Sequence, residues 1–238
     1  MDSILNVKKV CSGYGELPVL QDVDLHVKRG EIVSVVGANG AGKTTLLLTI
    51  CGHLKVQSGS VEFDGEDVSS QPAHAAAPRG LVMVPEGGRL FPFMTVLENL
   101  ELGAYHSKAR AQMKTNLEEV MEFFPILAER RQQLAGRLSG GERQMCAVAR
   151  AMMGMPKLMM LDEPSLGLAP IMIDRVFELV KKLVATKGLT VLLVEQNVRN
   201  ALQMCQRGYI IEHGHLLKTG TGTELLRDPD VQRSYMGL

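Results

Sequence analysis

Residues 31–45 constrain the fold more than any other stretch of this 238-residue chain. The apolar run 32–36 predicts a buried strand, which leads directly into a segment that fits the phosphate-loop pattern G-x-x-x-x-G-K-[ST]. Backbone amides of such a loop turn toward one centre, and the helix that follows adds unpaired amides and its positive dipole end. The residues of this loop and the start of its helix are Gly37, Ala38, Asn39, Gly40, Ala41, Gly42, Lys43, Thr44 and Thr45.

Two side chains give this loop chemistry that a plain glycine-rich turn lacks. Lys43 can reach the β- and γ-phosphates of a nucleotide as a point charge, and the Thr44 hydroxyl can ligate Mg²⁺. The alternative is a turn that binds nothing, but the strand before it and the apolar helix after it are the context that a nucleotide loop requires. We therefore expect a nucleotide-binding site here.

Composition excludes several classes of protein. Lys+Arg and Asp+Glu both number 26, so the formal net charge is zero and no overall basic field favours nucleic acid or anionic lipid. Apolar runs such as 158–161 and 191–194 are far below the roughly 18 residues of a membrane span. The N-terminus lacks a signal-peptide pattern, and four scattered cysteines without C-x-x-C predict reduced thiols, so we expect a cytosolic protein.

The pattern along the chain predicts an α/β protein. Residues 4–36 read as antiparallel strands leading into the phosphate loop, and hairpins are expected at Asp64-Gly65 and His213-Gly214. Buried strands are predicted at 81–84, 158–161 and 190–194. A short helix is expected over 72–77, with Pro78 unable to continue it.

Residues 89–137 have helical rather than strand patterns, and they predict a helical subdomain inserted between strands of the main sheet. A capping box at Thr95–Glu98 starts one helix. A second helix has one apolar stripe, which consists of Met113, Leu117, Val120, Met121 and Phe124.

Three further segments are candidates for the site. Tyr14 stands between two glycines, where it is either a surface residue or a platform for adenine. Ser139, Gly140 and Gly141 precede a helix, and this capping arrangement also makes an anion-accepting terminus. Taken alone, that segment is an ordinary helix cap.

The strand at 158–161 ends in two carboxylates, at the end of an α/β sheet where ligands bind. Asp162 can hold Mg²⁺ through water, and Glu163 can orient or deprotonate an attacking water. A pair of solvated charges is the alternative, which the phosphate loop upstream disfavours.

Together these motifs resemble an ABC-type ATPase subunit over the whole chain. Residues 37–44 resemble the Walker A motif, 138–142 are identical to the signature sequence LSGGE, and 158–163 resemble Walker B with its catalytic glutamate. Tyr14 matches the aromatic that stacks on adenine, and 165–168 look like the D-loop. The resemblance implies a mostly parallel core sheet with an N-terminal antiparallel β subdomain (1–88 and 156–238) and a helical signature subdomain (89–155).

Two positions depart from the general family pattern. Glu86 stands where the Q-loop usually has glutamine, and Gln196 stands where the switch residue is usually histidine. Both departures, and the ending from Asp228 to Gly237, are similar to the ATPases of branched-chain amino-acid importers. Gly88 occupies a place that is usually basic in that group. Related urea and short-chain amide importers share much of the pattern.

The resemblance implies roles and partners. ATP would lie between the phosphate loop of one subunit and Ser139–Gly141 of a second, identical or sister, ATPase subunit. Thr44, Asp162 and Glu86 would belong to the Mg²⁺ site, and Glu163, Lys43, Gln196 and Glu86 would serve hydrolysis. The other partners would be membrane permeases at the cytoplasmic face of the inner membrane and, indirectly, a substrate-binding protein, with no nucleic acid.

Rival classes remain at this stage. The importer is the favoured class, and an exporter of the same cassette type is the next candidate. A soluble ABC ATPase acting on ribosomes or DNA usually has two cassettes or a long coiled-coil insertion, and a non-hydrolytic adaptor would not need Glu163.

Overall fold

The structure, a computed structural model, describes residues 2–236. Met1, Gly237 and Leu238, which belong to the predicted segments 1–88 and 156–238, lie outside the described range, as does the last residue of the C-terminal pattern. Within that range no helix has the length and apolar character needed to cross a membrane.

The described residues form two sheets. Their strands are Ser3–Tyr14 (β1), Leu17–Lys28 (β2), Ile32–Val36 (β3), Val56–Phe63 (β4), Glu66–Asp67 (β5), Leu81–Val84 (β6), Leu158–Asp162 (β7), Thr190–Glu195 (β8), Arg207–Glu212 (β9) and His215–Thr221 (β10). The first sheet has the order β2-β1-β4-β5 and is antiparallel. The second has the order β10-β9-β3-β8-β7-β6 and is parallel except at β10. The predicted fold class is confirmed.

Helices connect and cover these strands. Their bounds are Lys43–Ile50 (α1), Ala76–Arg79 (α2), Val96–Gly103 (α3), Ser107–Ala111 (α4), Met113–Phe123 (α5), Pro125–Glu129 (α6), Gly140–Met153 (α7), Pro170–Lys187 (α8), Val198–Met204 (α9), Gly222–Arg227 (α10) and Pro229–Tyr235 (α11). The capping boxes predicted at Thr95 and Ser139 are both present, and a third lies at Thr221.

Alternate residues of the parallel strands face two separate cores. Leu158 and Met160 pack with α1 and the antiparallel sheet, whereas Met159 and Leu161 pack with the helices on the other face. Because both faces are covered, these strands carry apolar side chains at every position, which is why the run 158–161 reads as continuous rather than alternating.

The prediction for residues 72–78 was wrong in part. A 3₁₀ turn over Ala73–Ala75 continues into α2, which includes both Ala77 and Pro78. Pro78 is the third residue of α2, where the backbone N–H would have no partner within the helix, so the missing donor costs little. The helix ends one residue later, and Gly80 adopts a positive φ of 91°.

The apolar stripe predicted over residues 113–124 packs against the core. Val120 and Phe124 are buried, and the remaining stripe residues are partly buried against the same cluster. Phe124 follows α5 rather than belonging to it, because Pro125 begins the next short helix.

Candidate functional site

The phosphate loop joins β3, in the middle of the parallel sheet, to α1. A side chain at Gly37 would place its Cβ 2.2 Å from the carbonyl oxygen of Ile211, so only glycine fits there. Gly40 and Gly42 have positive φ values of 78° and 108°, and a residue with a β-carbon would be strained in this conformation. The Gly214 amide donates to the Ala41 carbonyl at 2.9 Å, so the last hairpin supports the loop from outside.

Lys43 lies inside this loop and is almost wholly buried. Its Nζ donates to the carbonyl oxygens of Gly37 and Ala38, both at 3.0 Å. It also lies 3.0 Å from Oε1 of Glu163, which follows β7. The loop therefore holds a single cation at its centre, facing the carboxylates at the end of the neighbouring strands.

Thr44 and Asp162 meet directly. The Thr44 hydroxyl donates to Oδ1 of Asp162 at 3.0 Å, joining the first turn of α1 to the end of β7. Burial raises the pKa of Asp162, the Thr44 hydrogen bond opposes this shift, and the nearby carboxylates of Glu163 and Glu86 add to it. The three carboxylates thus concentrate negative charge around Asp162, and a bound cation would offset their mutual repulsion.

Glu163 occupies an unusual backbone position. Its φ is +44°, in the region that residues other than glycine seldom adopt. Its backbone N–H donates to the Val194 carbonyl at 3.0 Å, which holds the turn against β8. This conformation directs the chain away from the sheet immediately after the carboxylate pair.

The loop borders a cavity of about 450 Å³. Its lining combines the loop with residues that are far apart in the sequence: Tyr14, Val19, Asn39, Gly40, Gly42, Lys43, Thr44, Thr45, Glu86, Glu163 and Leu166. The Tyr14 side chain is half exposed, with 49% of its surface accessible. One cavity is therefore lined by an aromatic ring, a cation, two threonine hydroxyls and two carboxylates.

Gln196 lies beside this cavity rather than in it. It is exposed and lines a neighbouring cavity of about 520 Å³, which shares Glu163 and Leu166 with the first. Gln196 follows the last residue of β8, so its position relative to Glu163 is fixed by the pairing of β7 with β8.

Ser139, Gly140 and Gly141 are elsewhere on the surface. Ser139 is exposed and caps α7, and its hydroxyl accepts from the Glu142 amide at 3.4 Å. A Cβ on Gly140 would approach Leu168, and one on Gly141 would collide with Met172, so the segment packs on the start of α8. None of the three lines the cavity around Lys43.

Sequence reasoning missed two residues that support the site. Sequence reasoning gave Glu195 no role, but it is buried and its Oε1 accepts from the Ser165 amide at 2.9 Å. Burial raises its pKa, against the effect of the Ser165 hydrogen bonds. The acidic end of an apolar strand was a usable signal, because the same feature identified Asp162.

Arg150 is the second missed residue. From α7 it donates through Nη2 to the Gly88 carbonyl at 2.6 Å and through Nη1 to the Arg89 carbonyl at 3.0 Å. A Cβ on Gly88 would lie 2.7 Å from that of Ala147, so this segment touches α7 closely. The turn that carries Glu86 is thus tied to the helix that Ser139 caps.

Known proteins share this arrangement. The family model described as ABC transporter matches residues 20–166, more than half of the chain. The chain belongs to this family, and it is an ATP-binding, ATP-hydrolysing subunit of an ABC transporter.

Relatives that match over nearly their whole length include amino-acid transport proteins and a lipopolysaccharide export protein. The chain is 45% identical to the high-affinity branched-chain amino acid transport ATP-binding protein BraG of Pseudomonas aeruginosa, over 98% of this chain and 100% of that protein. It is 38% identical to a probable branched-chain amino acid transport ATP-binding protein, LivF of Archaeoglobus fulgidus, over 99% of each. It is 37% identical to the lipopolysaccharide export system ATP-binding protein LptB of Escherichia coli, over 98% and 97%.

Solved structures share the fold. The ATP-binding cassette MJ1267 in its ADP conformation has a TM-score of 0.87 and 28% identity, and the match covers 100% of both chains. The cassette MJ0796, a dimer in a post-hydrolysis state bound to ADP and Pi, has a TM-score of 0.75 and 26% identity over 91% of this chain and 98% of that one.

Proposed function

We propose that this chain powers an importer of branched-chain amino acids. The observation that carries the proposal is the 45% identity to BraG over essentially both full lengths. Glu86 and Gln196, the two departures from the general family pattern, are shared features of that group by sequence resemblance, which supports the same assignment.

We propose that two chains, identical or sister, assemble head to tail. Ser139–Gly141 cap an exposed helix end and do not line their own chain's cavity, whereas helix N-termini favour anions. In such a dimer each ATP lies between the phosphate loop of one chain and residues 139–141 of the other, which gives two equivalent sites. Tyr14 stacks on adenine, and the loop amides together with Lys43 hold the phosphates.

The residues present fit a magnesium ion. Mg²⁺ in phosphate-transfer sites uses one or two carboxylates together with substrate phosphates, so it needs no cluster of protein ligands. Thr44 and Asp162 are the residues that would hold it, with Glu86 nearby, and the buried negative charge at Asp162 favours a divalent cation. When bound, the metal neutralises charge on the transferred phosphoryl group.

The chain's own residues supply the rest of the chemistry. Glu163 acts as the general base for the attacking water, and Lys43 stabilises charge on the γ-phosphate. Gln196 positions the phosphate and water from the adjacent cavity, and Glu195 fixes the Ser165 segment beneath them. Glu86 links this centre to α7 through the contacts that Arg150 makes.

We propose that residues 89–155 form a helical subdomain that contacts the permease, and that 1–88 and 156–238 form the nucleotide-binding core. Phe91, Leu102 and Tyr105 are exposed around a groove of about 240 Å³ that lies between this segment and β6, and Phe93 is 90% exposed. Exposed apolar groups of this kind mark interaction sites. A permease helix there places the chain on the cytoplasmic face of the inner membrane, with a substrate-binding protein acting through the permease.

Transport assays test the proposal. The chain is co-purified with any permease, sister ATPase and binding protein that genes next to its own encode, and the complex is placed in proteoliposomes. We expect ATP-driven uptake of labelled leucine, valine or isoleucine that is lost with Lys43→Ala. Uptake of urea or a short-chain amide instead, or outward movement of substrate, would assign the related importer or an exporter. ATPase activity without any permease partner would point to a soluble ABC ATPase.

A further inference from the structure

Tyr14, the residue proposed to stack on adenine, lies at the tip of the β1–β2 hairpin. It pairs with Leu17 of β2, and Gly15 turns the chain with a positive φ of 61°. On its other side β1 pairs with β4, but that ladder ends at Ser12, opposite Val56. The tip is therefore a two-stranded extension of the sheet, and a hairpin of this kind is only marginally stable by itself.

Two side-chain hydrogen bonds fasten the chain on either side of Tyr14. The hydroxyl of Ser12, which is fully buried, donates to the Lys55 carbonyl at 2.9 Å. Nε2 of Gln57 donates to the Gly15 carbonyl at 3.1 Å, in an exposed position. The Ser12 contact is the better shielded from water, and a hydrogen bond is electrostatically stronger in such surroundings.

The Ser12 hydroxyl also meets the helix that follows the phosphate loop. The hydroxyl hydrogen of Thr49, on α1, has two acceptors: Ser12 Oγ at 2.9 Å and the Thr45 carbonyl at 2.7 Å. These three residues are at most 6% exposed. Thr45 lines the nucleotide cavity, as Tyr14 does. A line of hydrogen bonds thus connects the strand that carries Tyr14 with the helix turn that carries Thr45.

The hydroxyl pair differs from the packing around it. Apolar side chains of β1 and α1 share one buried cluster, which includes Val10, Leu46 and Ile50. Apolar burial has no preferred direction, so it resists separation of the strand from the helix more than a small shift between them. The Ser12–Thr49 bond is directional, and breaking it would leave buried polar atoms without a partner.

We propose that the Ser12–Thr49 hydrogen bond sets the spacing between Tyr14 and the phosphate loop. Neither residue lines the nucleotide cavity, so both are positioning residues, which act through Tyr14 and Thr45. A nucleotide gains from base stacking and phosphate binding together only where the spacing of the two ends matches its own length. The inference rests on the proposed role of Tyr14.

Equilibrium binding of two ligands to the full chain tests the inference. One ligand is ATP with Mg²⁺, and the other is tripolyphosphate with Mg²⁺, which has the phosphates without the base. Thr49→Val keeps the shape of the side chain and removes its hydroxyl. We expect it to weaken ATP binding about two- to tenfold, the range that an aromatic contact contributes, and to leave tripolyphosphate binding unchanged. Ser12→Ala should have the same effect.

Two further variants serve as controls. Thr49→Ser retains the hydroxyl and should bind ATP as the parent does. Thr186→Val is the matched control on α8, because Thr186 bonds to the Lys182 carbonyl at 2.7 Å, as Thr49 does to Thr45, but is exposed. It should change the binding of neither ligand. Melting curves report whether each variant is folded.

Tyr14→Ala separates failure of this inference from failure of the proposed role of Tyr14. The double variant Tyr14→Ala/Thr49→Val should bind ATP as Tyr14→Ala does, because Thr49 acts through Tyr14. Weaker ATP binding in Tyr14→Ala, with unchanged binding in both Thr49→Val and Ser12→Ala, would overturn the positioning role alone. Equal weakening of ATP and tripolyphosphate by Thr49→Val would also overturn it, since the hydroxyl would then support only the phosphate loop. Unchanged ATP binding in Tyr14→Ala would overturn the stacking role as well.

Discussion

The Nζ of Lys43 lies 3.0 Å from Oε1 of Glu163, and the two side chains are only 4% and 11% exposed. The same ammonium group donates to the carbonyls of Gly37 and Ala38, so its three hydrogens all have acceptors. A γ-phosphate oxygen that binds Lys43 must therefore compete with the Glu163 carboxylate. We propose that ATP binding exchanges one anionic partner of Lys43 for another and frees Glu163 to act on water.

The first prediction concerns Glu163→Gln. We expect hydrolysis to fall by roughly 10²–10⁴, as removal of a general base does, while ATP binds more tightly because Lys43 loses its competing anion. Equilibrium ATP binding to the chain and turnover by the assembled transporter, with the partner ATPase likewise altered, measure the two effects.

Glu178→Gln is the control for that variant, since Glu178 is an exposed glutamate on α8 whose ion-pair partner within residues 2–236 is Lys181. It should change neither binding nor turnover. Near-normal hydrolysis by Glu163→Gln would remove Glu163 from the role of base.

The second prediction concerns Ser139→Arg. Ser139 does not line its own chain's nucleotide cavity, so affinity for ATP in the isolated chain should stay within about twofold of the parent, a difference of roughly 0.4 kcal/mol. Dimer formation with ATP and hydrolysis should both be lost, because a long side chain has no room at a closed interface.

Ser139→Ala separates this steric effect from loss of the helix cap. Both variants remove the hydroxyl that accepts from the Glu142 amide, at a cost of about 1 kcal/mol in stability. Only the arginine should block dimerisation, as measured by size-exclusion chromatography with ATP. If ATP affinity of the isolated chain falls as far as hydrolysis does, Ser139 contacts its own nucleotide.

Much of this fold could be predicted from sequence because local signals agreed with the tertiary structure. The continuous apolar runs at β3, β7 and β8 predicted central parallel strands, and the capping residues Thr95 and Ser139 predicted the starts of α3 and α7. The helix at Pro78 was predicted wrongly because proline is excluded from helix interiors but is tolerated in the first turn.

The supporting contacts of the site could not be predicted in the same way. Glu195 holds the Ser165 amide thirty positions away, and Arg150 holds the carbonyl of Gly88 sixty-two positions away. Neither contact leaves a periodic pattern, because each depends on which strands are neighbours in the sheet or on how α7 packs.

The third prediction concerns the pH dependence of stability and uses Glu195→Gln. Burial raises the pKa of Glu195 above its ordinary value of 4.5. The folded chain then holds this proton more tightly than the unfolded chain, so the stabilising contribution is full below pH 4.5 and is lost as pH rises through the folded pKa. Glutamine cannot ionise, and its side-chain oxygen can still accept from Ser165.

Urea denaturation of parent and variant from pH 4.5 to pH 8 measures this effect. The free energy of unfolding of Glu195→Gln relative to the parent should increase as pH rises above 4.5, then level off. The raised pKa of Asp162 is common to both proteins and cancels in the difference. A difference that does not change with pH would show that Glu195 ionises in the folded chain as it does in the unfolded chain.

The last prediction concerns Gln196, which is exposed in a cavity that also includes Glu163. Its amide can donate to a γ-phosphate oxygen but has no proton that titrates near neutral pH, unlike the histidine usual at this position. Gln196→Ala should therefore slow hydrolysis, whereas Gln196→His should remain active and acquire a pH dependence between about 6 and 7. The pH–rate profiles of the three assembled transporters measure this, with ATP affinity as a check that binding is intact. Asn197→Ala is the neighbouring control: Asn197 caps α9, so its loss should lower stability more than turnover. An alanine variant at position 196 as fast as the parent would show that this amide neither positions the phosphate nor orients the water.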